Sequence, residues 1–424
     1  MKVLVVGSGG REHALAWKLA QSPLLTKLYC APGNPGIADV AECVNIPAEA
    51  IGPLMTFADR EKIDLTIVGP EDPLADGIVD AFADERLLCF GPNRRAAEIE
   101  SNKAFAKNLM KKHGIPTPAF QVFDSLDGAK DYVENREPPM VVKAFGLAKG
   151  KGVFICTDRG DAFKAVDAIM KEGIFGDAGN RVIIEDCLSG PEASMLAITD
   201  GRTILPLPSA QDHKRIFDND RGPNTGGMGA YSPAPVVTDD ITDRVEREII
   251  IPTIHAMNRE ERPYRGVLYA GIMITQDGPS VLEYNCRFGD PETQPVLMRL
   301  KSDLLPILHA AASGELEKAE VEWDTRPAVC VVMASGGYPG KHDKGKVIEG
   351  LDDVKKMKDV QVFHAGTAVK NGKIVTAGGR VLGVTALGDN LRAAVNRAYE
   401  AVQKIHFDGA HFRKDIARRA LRSA

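Results

Sequence analysis

The sequence predicts a multi-domain protein of mixed α/β and α+β class. A doubly wound parallel sheet stands at the amino terminus, α+β units fill the middle, and a small α+β domain ends the chain. Three observations predict this. Short apolar strands alternate with helix-like segments from Met1 to about Arg95, the pattern of a parallel sheet with crossover helices. Farther on, Asp277-Gly278 between two apolar runs signals a hairpin. The linkers are short, with no internal repeat or low-complexity tract, in a chain of 424 residues, long enough for about two to four domains.

Taken in order, "KVLVV" (2–6) reads as a buried strand and "EHALAWKLAQS" (12–22) as a helix. "DLTIVGP" (64–70) and "RLLCFGP" (86–92) are further strands, each ending in Gly-Pro. The helix within 101–118 should stop at Gly114, before two prolines. Between 119 and 190 strands "AFQVF", "MVVKAF", "KGVFICT" and "RVIIEDCL" enclose helices near 126–135 and 161–172. A unit from 191 to 325 contains the hairpin, and a last unit from "RPAVCVVMASGGYPG" ends in a helix near 389–404.

Composition narrows the function. The chain is 44% hydrophobic and 26% charged with a formal net charge of −5, which offers no positive excess for general nucleic-acid binding. Seven widely spaced cysteines without a C-x-x-C pair point to reduced thiols rather than a disulfide framework or zinc site. No signal peptide or membrane-spanning stretch is read, so a cytoplasmic protein is expected.

Four stretches carry chemistry. "VVGSGGREHA" (5–14) joins a strand, a glycine turn and a helix, which presents backbone N–H groups to an anion. The dinucleotide pattern G-x-G-x-x-G fails because Glu12 stands at the third glycine, so a mononucleotide or sugar phosphate is favoured over nicotinamide or a plain turn. "VVKAFGLAKGKGV" (141–153) lets glycine backbone approach phosphate closely. It is no Walker A loop, since Lys151 is followed by Gly152; the competing reading is a basic surface hairpin. In "VLEYNC" (281–286), strand alternation sets Glu283, Asn285 and Arg287 on one face and Leu282, Tyr284 and Cys286 on the other. A carboxylate and an amide oxygen two residues apart suit Mg²⁺ carrying nucleotide phosphates, although such a pair is more often a solvated face. The loop in "QDHKRIFDNDRGPNTGGMGAYSP" (211–233) would let a small substrate approach backbone amides. His213 reads as a hydrogen-bonding partner rather than a base, and His406 and His411 as structural.

In this order the stretches resemble the ATP-grasp superfamily. "GSGGREHAL", "GPEDPL", "SNKAFAK", "SAQDHKR", "GPNTGGMGAYSPAP", "EYNCRFGDPETQ", "GGYPG" and "FHAGT" resemble the phosphoribosylamine–glycine ligase (glycinamide ribonucleotide synthetase) family over almost the whole chain. The resemblance implies an amino-terminal domain (1–100), an ATP-grasp core (101–118 and 191–325), a lid subdomain (119–190) and a carboxy-terminal domain (326–424). It also implies ATP-dependent ligation of glycine to 5-phosphoribosylamine through glycyl phosphate, in purine biosynthesis, by a monomer needing Mg²⁺ or Mn²⁺.

On the ATP side the resemblance implies Lys103 and Lys143 at the phosphates, with Gly146, Lys149, Gly150, Lys151, Gly152 and Val153 in the loop closing over them. Glu185, Asp186 and Leu188 would meet adenine and Glu192 the ribose. Glu283 and Asn285 would hold the metal. Arg287 would neutralise the transferring group, with Gly289, Asp290 and Glu292 shaping that pocket. Asp212, Gly226, Gly227, Met228 and Gly229 would face the amine and sugar, and Gly9, Gly10, Arg11, Glu12, Asn34 and Glu71 would complete the amino-terminal wall. Lys143, Arg287, Asp212 and Asp290 are the catalytic candidates.

The chain departs from the family pattern where Phe145 replaces an aspartate, Lys149 an alanine, and Pro191 a frequent acidic residue. The strand "LYAGIMI" brings no second metal carboxylate. Rival readings are a ligase acting on formate or bicarbonate, a nicotinamide-dependent oxidoreductase, and a non-catalytic nucleotide sensor.

Overall fold

In a computed structural model, the amino-terminal strands form one parallel sheet in the order Glu42–Cys43, Lys27–Pro32, Lys2–Gly7, Leu65–Val68, Cys89–Phe90. The structure describes residues 1–146 and 152–423. Val3 to Val6 are completely buried, as a strand covered on both faces requires. Strand order reverses between Lys2–Gly7 and Leu65–Val68, so their carboxyl ends open the crevice in which such sheets collect ligands. The helix Gly10–Leu19 leaves from this crevice, and Glu12 folds back to accept the N–H of Gly9 at 2.5 Å.

Residues 119–190 build a separate antiparallel sheet, ordered Phe120–Phe123, Val182–Asp186, Met140–Ala144, Val153–Cys156. Helices Leu126–Glu134 and Arg159–Val166 are started by side-chain caps from Ser125 and Asp158. They share with the sheet an apolar cluster of their own that includes Val133, Met140, Val142, Val166 and Ile184. A core confined to one segment lets that segment act as one body.

The next sheet runs Ile204–Pro206, Glu192–Thr199, Gly266–Thr275, Gly278–Asn285. The hairpin forms, but its turn is Gln276-Asp277: Gly278, at φ +124°, already pairs with Thr275. A second difference lies within the strand Gly278–Asn285. Simple alternation groups Leu282 with Tyr284 and Cys286, whereas a bulge makes Val281 join those two in the core and leaves Leu282 half-buried. The Leu282 carbonyl accepts from Lys143 Nζ at 3.1 Å, the kind of re-aimed group a bulge provides.

The last large sheet is antiparallel and ordered Gln211–Asp212, Gly229–Ser232, Ala328–Ala334, Arg380–Leu387, Val360–His364. It crosses the boundary expected at residue 326, because two of its strands come from 211–232. Gly229–Ser232 and Ala328–Ala334 are buried at every residue, so each needs the other as a partner. Helix Leu391–Lys404 covers this sheet, and a short helix, Arg418–Ser423, follows the one expected to be last.

Candidate active site

Lys103 opens the helix Lys103–His113, which Asn102 caps by accepting the N–H of Phe105. Its Nζ donates to the carbonyl of Gly146 at 2.8 Å. Lys143 approaches from the lid sheet, and its Nζ lies 2.8 Å from Glu185 Oε2. The other Glu185 oxygen is 3.1 Å from Lys107 Nζ. Burial, reinforced by Lys143, pushes Lys107 down to about 8. The Glu185 carboxylate is therefore committed to two lysines rather than turned to adenine. Asp186 is ion-paired to Arg136, and Cys187 and Leu188 follow outside the ladder. Lys107 was not anticipated; its signal is the four-residue spacing from Lys103, one helical turn along the same face.

The lid loop is partly described. A Cβ on Gly146 would stand 2.9 Å from Ala178 Cβ, so this glycine lets two segments meet. Gly152 and Val153 pair with Ala144 and Lys143 at the start of the returning strand. Lys149, Gly150 and Lys151 lie outside the described residues. Phe145 is accommodated by Arg181, whose guanidinium carbon lies 5.4 Å from the ring centroid, a cation–π contact.

Glu283 stands among four cations. Burial pushes its pKa up, but Lys214, Lys143, Lys103 and Arg287 outweigh burial and hold it below the usual range. Asn285 Oδ1 accepts from Arg287 Nη2 at 3.1 Å. An ionised carboxylate beside an amide oxygen fits a hard divalent cation. Among the described residues no group of three or more His, Cys, Asp or Glu side chains could hold a metal by itself, so the remaining ligands would come from phosphate and water.

Arg287 is more heavily engaged than its expected role requires. Nε donates to Glu71 at 3.0 Å, Nη1 to the carbonyl of Phe288, and Nη2 to both Glu100, at 2.9 Å, and Asn285. A guanidinium has five N–H donors, so among the described residues one remains, on Nη1. Glu71 is lowered to about 2: burial pushes it up, and Arg287 and Arg11 outweigh that. Glu100, absent from the sequence-derived site, also accepts the N–H of Cys286 at 2.7 Å, and burial raises its pKa.

Asp212 is raised by burial to about 7; Lys214 pulls it down, and Glu292 and Glu192 push it up. Lys214 Nζ lies 2.7 Å from Glu192 Oε2. Its charged form is favoured against burial by Glu192, Asp212 and Glu283, so this lysine ties the ribose candidate to the amine side. Glu292 accepts from Tyr269 OH at 2.9 Å and Ser194 Oγ at 3.2 Å. A Cβ on Gly289 would reach 2.5 Å from the Glu292 carboxylate. Asp290 is paired with Arg380 at 2.9 Å and receives Gln294 Nε2 at 2.8 Å.

The 226–229 loop corrects an expectation. Its amides face inward: the N–H of Gly226 goes to Tyr338 OH, that of Gly227 to Thr225 Oγ1, and that of Met228 to the carbonyl of His213. The Met228 side chain is sealed in a cluster with Ile216, Cys330 and Val332, and Gly229 is a sheet residue whose Cβ would meet the Cys330 carbonyl at 2.6 Å. What the loop offers is close approach. Gly227, at φ +115°, lies against Pro291, and Gly226 against the Arg380 guanidinium.

The amino-terminal wall is likewise braced. Arg11 Nη1 donates to the carbonyl of Phe288 at 3.1 Å and Nε to Glu12 at 2.5 Å. A Cβ on Gly10 would stand 2.7 Å from Gln294 Nε2 and 3.6 Å from Asp290 Oδ1, so the glycine turn meets the Asp290 loop. Asn34 departs from its expected role: Nδ2 donates to the carbonyls of Ser8 and His364, and Oδ1 accepts from Gly36 and Ile37, which makes it a loop brace. His213 accepts the N–H of Ala417 at 3.0 Å, and burial lowers it to about 3, in keeping with a neutral structural partner.

A cavity of about 1170 Å³ opens between the lid strand Val153–Cys156 and loops around Phe217, Tyr338 and His411. Among the described residues, Val153 is the only expected site residue that lines it.

Comparisons with known proteins cover the whole chain. Profiles of the phosphoribosylglycinamide synthetase N domain, ATP-grasp (A) domain and C domain match residues 1–100, 101–293 and 328–419. A phosphoribosylamine–glycine ligase from Allochromatium vinosum is 54% identical over 99% of both chains. One from Rhodopirellula baltica is 52% identical over 100% of this chain and 98% of its own. The crystal structure of the phosphoribosylamine–glycine ligase from Thermotoga maritima superposes with a TM-score of 0.86 at 35% identity, covering 98% of this chain and 100% of that one. At 16% identity, the biotin carboxylase domain of a Hydrogenobacter thermophilus 2-oxoglutarate carboxylase shares the fold, with a TM-score of 0.75 over 97% of this chain and 91% of that one.

Proposed function

The chain belongs to the phosphoribosylglycinamide synthetase family, and we propose how its own residues carry the reaction of such a ligase. It is an ATP-dependent carboxylate–amine ligase that joins glycine to 5-phosphoribosylamine, a step of purine biosynthesis. The observation that carries the assignment of roles is the Glu283 carboxylate held among Lys103, Lys143, Lys214 and Arg287, which come from separate parts of the chain.

Glycine's carboxylate is a poor electrophile, because its charge repels a nucleophile. We propose that its oxygen attacks the γ-phosphorus of ATP, giving glycyl phosphate and releasing ADP. The amine of phosphoribosylamine then attacks the carbonyl carbon and expels phosphate, and the proton lost from nitrogen passes to a base. Such a path asks for positioning and charge neutralisation above all. Lys103 and Lys143 approach the phosphates from the core and the lid, and Glu185 fixes the second of them. The ATP-grasp fold implies a divalent cation; Glu283 and Asn285 would hold it as Mg²⁺ or Mn²⁺, and it would screen the phosphoryl charge. Arg287, with one N–H to spare, serves mainly to orient Asn285 and the adjoining loop. Asp212, raised to about 7, is the base we assign to the amine proton.

We further infer a cytoplasmic monomer that engages neither nucleic acid nor membrane. The net charge of −5 speaks against general nucleic-acid binding, and no helix among the described residues is long and apolar enough to cross a membrane. Measuring ADP release with glycine, formate or bicarbonate in the presence of phosphoribosylamine tests the assignment. Glycine alone should support turnover, with an acyl phosphate that hydroxylamine traps; turnover on another acid would overturn it.

A further inference from the structure

Arg380 opens the strand Arg380–Leu387 of the carboxy-terminal sheet, yet its side chain ends in the ligase core. Nη1 donates to the carbonyls of Gly226 and Asp290, each at 2.7 Å, and Nη2 to the Asp290 carboxylate at 2.9 Å. The remaining Asp290 oxygen accepts from Gln294 Nε2 at 2.8 Å. Tyr338, also from the carboxy-terminal domain, accepts the N–H of Gly226 at 3.0 Å. Both main-chain polar groups of Gly226 thus end on side chains from that domain. A Cβ at Gly226 would stand 3.1 Å from Arg380 Cζ, so the guanidinium lies flat against the glycine. The Arg380 side chain is 22% exposed, neither sealed in a core nor free in solvent.

Substrate roles were expected of the Gly226–Gly229 loop and Asp290, but the loop amides are occupied and Asp290 is shared with a distant arginine. With the acceptor placed beside Gly226 and Asp290, as the family resemblance implies, the shape of its pocket would depend on the groups that hold these two residues, Arg380 and Tyr338. We propose that Arg380 is a positioning residue for the phosphoribosylamine pocket, locking the Gly226–Gly227 turn to Asp290, with Tyr338 holding the turn from its other side. The inference rests on the reading of the reaction given above. A planar fork can hold two carbonyls and a carboxylate at once; an ammonium on a flexible stem cannot reproduce that arrangement.

The test is steady-state ADP release by the full chain, varying phosphoribosylamine, glycine and ATP in turn, for wild type, Arg380→Ala, Arg380→Lys and Tyr338→Phe. In Arg380→Ala the KM for phosphoribosylamine should rise about tenfold or more, the size of one lost charge-assisted contact, while the KM for ATP stays unchanged. Added guanidinium should reverse part of that rise. Arg380→Lys should fall between wild type and alanine. Tyr338→Phe, which removes one oxygen, should shift the same constant in the same direction by less. An unmoved KM for phosphoribosylamine with a reduced fraction of active enzyme, or an equal rise in all three constants, would mark Arg380 as a structural staple and overturn the inference alone. Wild-type enzyme that releases no ADP with glycine and phosphoribosylamine would overturn the functional reading and this inference with it.

Discussion

Glu185 holds Lys143 in place: its Oε2 lies 2.8 Å from the lysine Nζ, and the two side chains are only 1% and 6% exposed. Removing one member of a buried ion pair leaves an uncompensated charge. Glu185→Ala strands both Lys143 and Lys107, and should cost about 3–5 kcal/mol in urea unfolding. Lys143→Ala leaves Glu185 paired with Lys107. That variant should remain folded by circular dichroism while losing about 10²–10³-fold in turnover.

Glu283 is the carboxylate on which four cations converge. Glu283→Ala should abolish measurable ADP release, and binding of Mn²⁺ with ATP, followed by electron paramagnetic resonance, should weaken in parallel. Near-normal activity would remove Glu283 from the metal site.

Asp212 gives a pH dependence with opposite signs for activity and stability. As a base it works deprotonated, so kcat/KM should rise with pH through about 7, and Asp212→Asn should lose that limb. Its folded pKa stands above the unfolded value of about 3.9, so between those two values the folded state binds more protons. Stability from this group is therefore present below about 4 and is lost as pH rises to about 7. Thermal melts of wild type and Asp212→Asn across that window check the sign.

Gly227 combines φ +115° with a Cβ position that would overlap the Pro291 ring. Gly227→Ala should cost about 1–3 kcal/mol in chemical denaturation. A neutral effect would mean that the loop shifts freely from Pro291.

Phe145 lies under the Arg181 guanidinium, a contact worth about 0.5–1 kcal/mol at a partly exposed site. If it steadies the phosphate loop, Phe145→Ala should raise the KM for ATP about two- to fivefold and leave that for glycine unchanged.

Local pattern made the fold legible in detail. The strand–helix alternation before Arg95, the stop at Gly114 and the hairpin near Asp277 are short-range signals, and the backbone follows them. Candidates such as Lys143, Glu283 and Asn285 could be nominated where chemistry is written within a few residues, and folding brings Lys143 and Glu283 together. The site was illegible where a partner is brought in by folding. Glu100 meets Arg287 across 187 positions, and Arg380 meets Gly226 across 154; nothing near either residue in sequence announces the meeting. The loop at 226–229 misleads for a related reason. Its glycines suggest exposed amides, but glycine equally serves close packing, and only the positions of Pro291, Tyr338 and Arg380 decide between the two.

The strand Gly229–Ser232 is threaded into a sheet whose other long members lie beyond residue 327. The last hundred residues are consequently no detachable module. Cutting the chain near 326 would strip Gly229–Ser232 of a buried neighbour and leave an apolar edge open to pairing with other molecules. The core is finished only when the end of the chain has folded onto it, so a chain halted near residue 326 would carry the candidate lysines Lys103 and Lys143 and still lack the Arg380 and Tyr338 side chains that hold Gly226.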